Sequence, residues 1–62
     1  MGNKVKEYRK KKKLSQEELA KKAGISRVTL SNIETGFQTV ITNSTMVKIA
    51  EALEMSPKTL FF

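Results

Sequence analysis

In the stretch Arg27-Val28-Thr29-Leu30-Ser31-Asn32-Ile33-Glu34-Thr35 the side chains divide by type when placed on a helix. At about 3.6 residues per turn, Leu30, Ile33 and Thr29 point one way, and Arg27, Val28, Ser31, Asn32 and Thr35 point the other. A solvated face usually carries Lys and Glu. This one has neither, only an Arg, an amide, hydroxyls and a valine. Arg can fork onto guanine, an Asn amide can fork onto adenine, and a methyl-bearing side chain can rest on the thymine methyl. Arg27, Val28 and Asn32 are therefore the candidate readers of base edges. An ordinary amphipathic helix with a featureless outer face is the competing reading of this segment taken alone.

The surrounding residues fix where that helix starts, stops and sits. Ser15 with Glu18 three residues later is a capping box, and Leu14 and Leu19 occupy the flanking staple positions. The helix that follows buries Leu19, Ala20 and Ala23 and stops at Gly24, a left-handed C-terminal position. Ile25 fills the turn. Ser26 caps the next helix, with Ile25 and Leu30 as a second staple, and Gly36 ends it. Two capped helices with so short a connection must cross steeply to reach a common core. This is the layout of a helix-turn-helix, which sets its second helix in the major groove of DNA. The N-terminal N–H groups and the helix dipole attract anions, so Gln16 and Ser26 are candidate phosphate anchors together with Ser31. Thr35 and Gln38 are weaker candidates for the same role.

Charge agrees with this reading. The chain has 62 residues and a net charge of +6. Lys4, Lys6, Arg9, Lys10, Lys11, Lys12 and Lys13 stand against Glu7 alone in the first 13 residues, and from Leu14 onward the charges cancel. Cations at a helix C-terminus oppose the macrodipole favourably, and the same cluster attracts phosphates; both effects can hold at once. The chain has no Cys and no His, hence no disulfide framework, thiolate or imidazole chemistry. No glycine-rich phosphate loop and no paired carboxylates in an apolar setting are present, so neither an enzyme nor a metal or cofactor site is expected. No apolar run approaches the roughly 20 residues of a membrane span, and no signal-peptide segment follows the basic start. Lys6 stands where a myristoylation motif needs Ser or Thr. The expected location is cytoplasmic, without a membrane or small-molecule partner.

The remaining residues close the core. Thr42 reads as an N-cap with Ile41 and Met46 as its staple, and Met46, Ile49, Ala50 and Leu53 recur at helical spacing. Ser56-Pro57 starts a last helical turn. Leu60, Phe61 and Phe62 end the sequence as an apolar cluster that either folds back or meets a second copy. A chain this short buries only about 60% of its unfolded surface and gains from a partner. Leu60, Phe61 and Phe62 are therefore expected in a dimer interface.

These residues resemble the phage repressor and Cro family of helix-turn-helix proteins. The matching signature is Leu14-Ser15-Gln16-Glu17-Glu18-Leu19-Ala20, then Gly24-Ile25-Ser26, then Ile33-Glu34-Thr35-Gly36, continuing with Lys48-Ile49-Ala50-Glu51-Ala52-Leu53. The small Ala20, the turn Gly24 and the apolar Ile25, Leu30 and Ile33 fall in register, and the likeness covers nearly the whole chain. It implies an all-α five-helix bundle of the lambda-repressor-like type, one helix-turn-helix domain over residues 1–62. It also implies operator binding in transcriptional control, as a homodimer on a pseudo-palindromic site. In that family the residues matching Arg9 and Glu34 form a partly buried ion pair between the first and third helices, so the resemblance makes these two structural rather than DNA-reading. The loop Phe37-Gln38-Thr39-Val40-Ile41-Thr42 departs from the family in lacking the Pro and basic residue often found there.

Two other functions fit the same pattern. One is a protein-interaction module, antitoxin-like or an anti-repressor partner, whose third helix meets a protein. The other is a non-specific nucleoid-type binder driven by the basic first helix.

Overall fold

The computed structural model describes residues 3–62; Met1 and Gly2, which open the basic N-terminal stretch, lie outside the described residues. Five helices follow in order: α1 (Val5–Lys11), α2 (Gln16–Ala23), α3 (Arg27–Thr35), α4 (Asn43–Ala52) and α5 (Pro57–Phe61). The last four start where the sequence supplies a hydroxyl. Ser15, Ser26, Thr42 and Ser56 accept from the backbone N–H groups of Glu18, Thr29, Thr45 and Lys58. Both halves of the Ser15/Glu18 capping box are formed, and Pro57 opens α5.

Helix α1 begins differently. Lys4 at its cap offers no side-chain bond. Asn3 does the work one residue earlier: its Oδ1 accepts from Val5 N–H at 3.0 Å and its Nδ2 donates to the Ile33 carbonyl at 3.1 Å. Lys4 N–H donates to the Leu60 carbonyl at 2.9 Å. The start of α1 is thus tied to both α3 and α5.

Helices α1, α2 and α4 end alike. A residue in the left-handed region follows each helix, and the next residue donates back across the last turn: Leu14 to Arg9, Ile25 to Ala20, and Met55 to Ala50. Gly24 takes the left-handed position after α2 with φ 74°. After α1 and α4 the same position is filled by Lys13 and Glu54, each with φ 58°. Leu14, Ile25 and Met55 all pack against the core, the hydrophobic contact that accompanies this stop.

The core takes residues from every helix: Val5, Leu19, Leu30, Ile33, Ile49, Leu53 and Leu60 are fully or almost fully buried. Helix α2 packs on both α3 and α4, and α4 carries α5. The buried Ala20, Ala23 and Ala50 keep those backbones close. Leu60 is 1% exposed, so its side chain completes this core; Phe61 is half-buried against it, and Phe62 is exposed. Among the described residues no helix is long and apolar enough to cross a membrane.

Candidate nucleic-acid interface

The outer face of α3 is exposed beside the N-terminus of α2, and the two form an open cleft of about 240 Å³. Gln16, Arg27, Val28, Ser31 and Asn32 line it. All three residues expected to read bases therefore stand together, with two of the expected phosphate anchors beside them. The phase of α3 is set by Ser26, whose hydroxyl accepts from Thr29 N–H at 3.0 Å and donates to Thr29 Oγ1 at 2.8 Å. With Leu30 and Ile33 turned inward, Arg27 and Val28 must project outward; Val28 is 70% exposed.

Thr35 and Gln38 are placed differently. The Thr35 hydroxyl donates back to the Ser31 carbonyl at 3.0 Å. Gln38 donates to the Val40 carbonyl at 3.3 Å and borders a separate hollow. That hollow, about 260 Å³, lies between the α3–α4 loop and the last residues of the chain, with Ile41, Met46, Phe61 and Phe62 on its walls. Phe37 and Val40 on the same loop are more than four-fifths exposed, as is Phe62.

Electrostatics favour an anionic partner at α3. Its one acidic residue is Glu34, and the side chain of Glu34 is 1% exposed. Arg9 Nε donates to Glu34 Oε2 at 2.7 Å and Arg9 Nη2 to Oε1 at 3.2 Å, a two-pronged ion pair between α1 and α3. Arg9 Nη1 also donates to the Leu14 carbonyl at 2.7 Å, which fixes the turn into α2. In the basic cluster Lys11 lies 3.5 Å from Glu7 and over the Tyr8 ring, and Lys12 lies 3.5 Å from Glu54. Lys10 and Lys13 have no ion-pair partner among the described residues.

Sequence reasoning missed three features here. Gln16 Nε2 donates to Glu34 Oε1 at 3.0 Å, so the expected phosphate anchor is also bonded to the buried carboxylate. No pattern along the chain announces a contact between residues on two different helices. The Asn3 bond had one sequence sign, an Asn close to the helix start, a residue type whose side chain readily bonds the backbone two residues on. The left-handed stops at Lys13 and Glu54 had one sequence sign, the apolar residue directly after each.

A helix-turn-helix family matches residues 5–60, from the first residue of α1 into α5. The chain belongs to that family. The HTH-type transcriptional regulator SinR of Bacillus subtilis is 40% identical over 60 residues, covering 97% of this chain and 54% of SinR. SinR of Bacillus licheniformis matches to the same extent. The chain thus spans about half the length of these curated relatives. Among solved structures, the restriction-modification controller protein C.AhdI from Aeromonas hydrophila superimposes with a TM-score of 0.87 at 35% identity, covering 92% of this chain and 85% of that one. SinR, described as the master regulator for biofilm formation and solved in complex with DNA, superimposes with a TM-score of 0.85 at 40% identity, covering 89% and 87%.

Proposed function

We propose that this chain binds double-stranded DNA sequence-specifically and regulates transcription, as a repressor, with α3 in the major groove. The observation that carries the reading is the α2–α3 cleft, where Arg27, Val28 and Asn32 share a surface whose only nearby helix-α3 acid is buried and paired. In this role Arg27 reads guanine, Asn32 adenine and Val28 the thymine methyl. Gln16, Ser26 and Ser31 hold phosphates, with Thr35 and Gln38 at the margin. The relative SinR, solved with DNA, supports the same use of the fold. The protein works in the cytoplasm, and no catalytic step is assigned to it.

The active species is a homodimer on a pseudo-palindrome, the two α3 helices about 34 Å apart, one turn of DNA. The interface centres on Phe61 and Phe62 at the hollow beside the α3–α4 loop, with Leu60 supporting them from the core. An 88% exposed Phe62 at the rim of a hollow that Ile33, Ile41 and Met46 line together with Asn3, Gln38 and Thr39 is the supporting observation.

The test is equilibrium binding of wild type and Arg27→Ala to a selected duplex and to random duplex at one salt concentration. The variant should lose about 1–3 kcal/mol on the selected site and little on random DNA. Full discrimination by the variant removes Arg27 from the readers. The second reading is a protein-interaction module; the complex of SinR with SinI and the exposed Phe37 and Val40 favour it. A wild-type protein that binds neither the selected nor the random duplex would shift the balance to that reading.

A further inference from the structure

We propose that Glu34 is a positioning residue for the DNA-backbone contact: its buried carboxylate holds the Gln16 amide so that Gln16 donates its remaining N–H to a phosphate oxygen. The proposal rests on reading the α2–α3 cleft as the DNA interface.

Gln16 is the first residue of α2 and lines the cleft. Its Nε2 lies 3.0 Å from Glu34 Oε1. A carboxylate only accepts, so Glu34 selects the NH₂ end of the amide and rejects the oxygen end. A primary amide nitrogen carries two N–H groups, and Glu34 takes one. The other stays available beside the N-terminal N–H groups of α2, where an anion is already favoured. A glutamine without this bond would have to be ordered at the moment of binding; one already held loses less freedom.

A carboxylate beneath a phosphate would repel it, and Arg9 removes that difficulty. Its guanidinium contacts both oxygens of Glu34, at 2.7 and 3.2 Å. Arg9 also binds the Leu14 carbonyl at 2.7 Å, just before α2. The three side chains thus tie the α1–α2 turn, the start of α2 and the last turn of α3 into one unit. This fixes the distance between the phosphate anchor and the base-reading face, hence the register of the protein on the duplex.

The bland account is that Gln16 merely satisfies a lone pair of a buried carboxylate. The two accounts separate in a thermodynamic cycle on DNA affinity. Four proteins are compared on one selected duplex at one salt concentration: wild type, Gln16→Ala, the double variant Arg9→Met with Glu34→Leu, and the triple variant. Circular dichroism confirms that each is folded. Gln16→Ala should weaken wild-type binding about tenfold per half-site. In the double variant the same change should cost less than about twofold. A merely structural Glu34 lowers affinity in both members of each pair alike, so equal costs in the two backgrounds overturn the proposal. So does a Gln16→Ala that costs nothing in wild type. In either case a wild type that still prefers the selected duplex leaves the interface reading standing; a wild type with no preference removes both.

A second readout needs no variant and covers a double variant that does not fold. The side-chain amide protons of Gln16 are followed by NMR as wild-type protein is titrated with the same duplex. The Glu34-bonded proton should keep its shift while the other moves. Release of the Glu34-bonded proton on binding overturns the proposal.

Discussion

Replacing Glu34 by Ala should come close to unfolding the protein. The Glu34 side chain is 1% exposed and that of Arg9 10%. Glu34 accepts three hydrogen bonds, two from Arg9 and one from Gln16. Truncation leaves the Arg9 guanidinium in the interior with the Leu14 carbonyl as its remaining partner. Stranding one member of a buried pair costs about 3–5 kcal/mol. A domain of this length holds roughly 3–9 kcal/mol in all. For so small a domain each kcal/mol moves the melting temperature by about 8 °C, so a fall of about 24 °C or more is expected. The assay is thermal unfolding by far-ultraviolet circular dichroism on wild type, Glu34→Ala, Arg9→Met and the double change Arg9→Met with Glu34→Leu. The double change removes both charges and fills the space with apolar atoms, so it should stay within about 1–2 kcal/mol of wild type. Losses that simply add would show that Arg9 and Glu34 do not act as a pair, and the reasoning would fail.

Further outcomes follow from the fold. Lys13→Gly and Glu54→Gly should each raise stability by about 0.5–1 kcal/mol, because both sites sit at φ 58° and glycine relieves the strain. Gly24→Ala should lower it by about 1–2 kcal/mol through backbone strain alone, since a Cβ there meets nothing within 4 Å; denaturant midpoints check all three. The Ser15 backbone N–H, and then its hydroxyl, hold the Glu18 carboxyl below its ordinary range. A lowered folded-state pKa contributes stability that is present above the ordinary carboxylate range and lost as pH falls through the lowered value. Melts of Glu18→Gln across acid pH should accordingly show a shallower acid slope than wild type. Phe62→Ser should leave the fold intact, since Phe62 is 88% exposed, yet yield monomers with most operator affinity lost. Sedimentation of both forms at micromolar concentration decides this, and a monomeric wild type that binds one protomer per site would sink the dimer.

The starts of α2 to α5 and the ends of α2 and α3 were legible because each is a local decision. Ser15, Ser26, Thr42 and Ser56 cap in place, and Gly24 and Gly36 take the left-handed stops that glycine tolerates best. Once Ser26 and Gly36 bound α3 and Leu30 and Ile33 face inward, the positions of Arg27, Val28 and Asn32 on the other face follow from helical phase. What stayed hidden depends on tertiary placement. Lys13 and Glu54 adopt a conformation their side chains disfavour, because burying Leu14 and Met55 outweighs the local preference. The Gln16–Glu34 bond exists only because α2 and α3 cross at the angle they do. Among Leu60, Phe61 and Phe62, which one turns inward is set by a five-residue helix too short for periodicity to phase.

The central claim is that paired copies of α3 read a defined sequence. Selection of bound duplexes from a random pool tests it most directly. The recovered sequences should share two inverted half-sites whose centres lie about 10 base pairs apart, the spacing of one helical turn. Recovered duplexes with no enriched motif, held only by an affinity that falls with salt alike for every sequence, would contradict it.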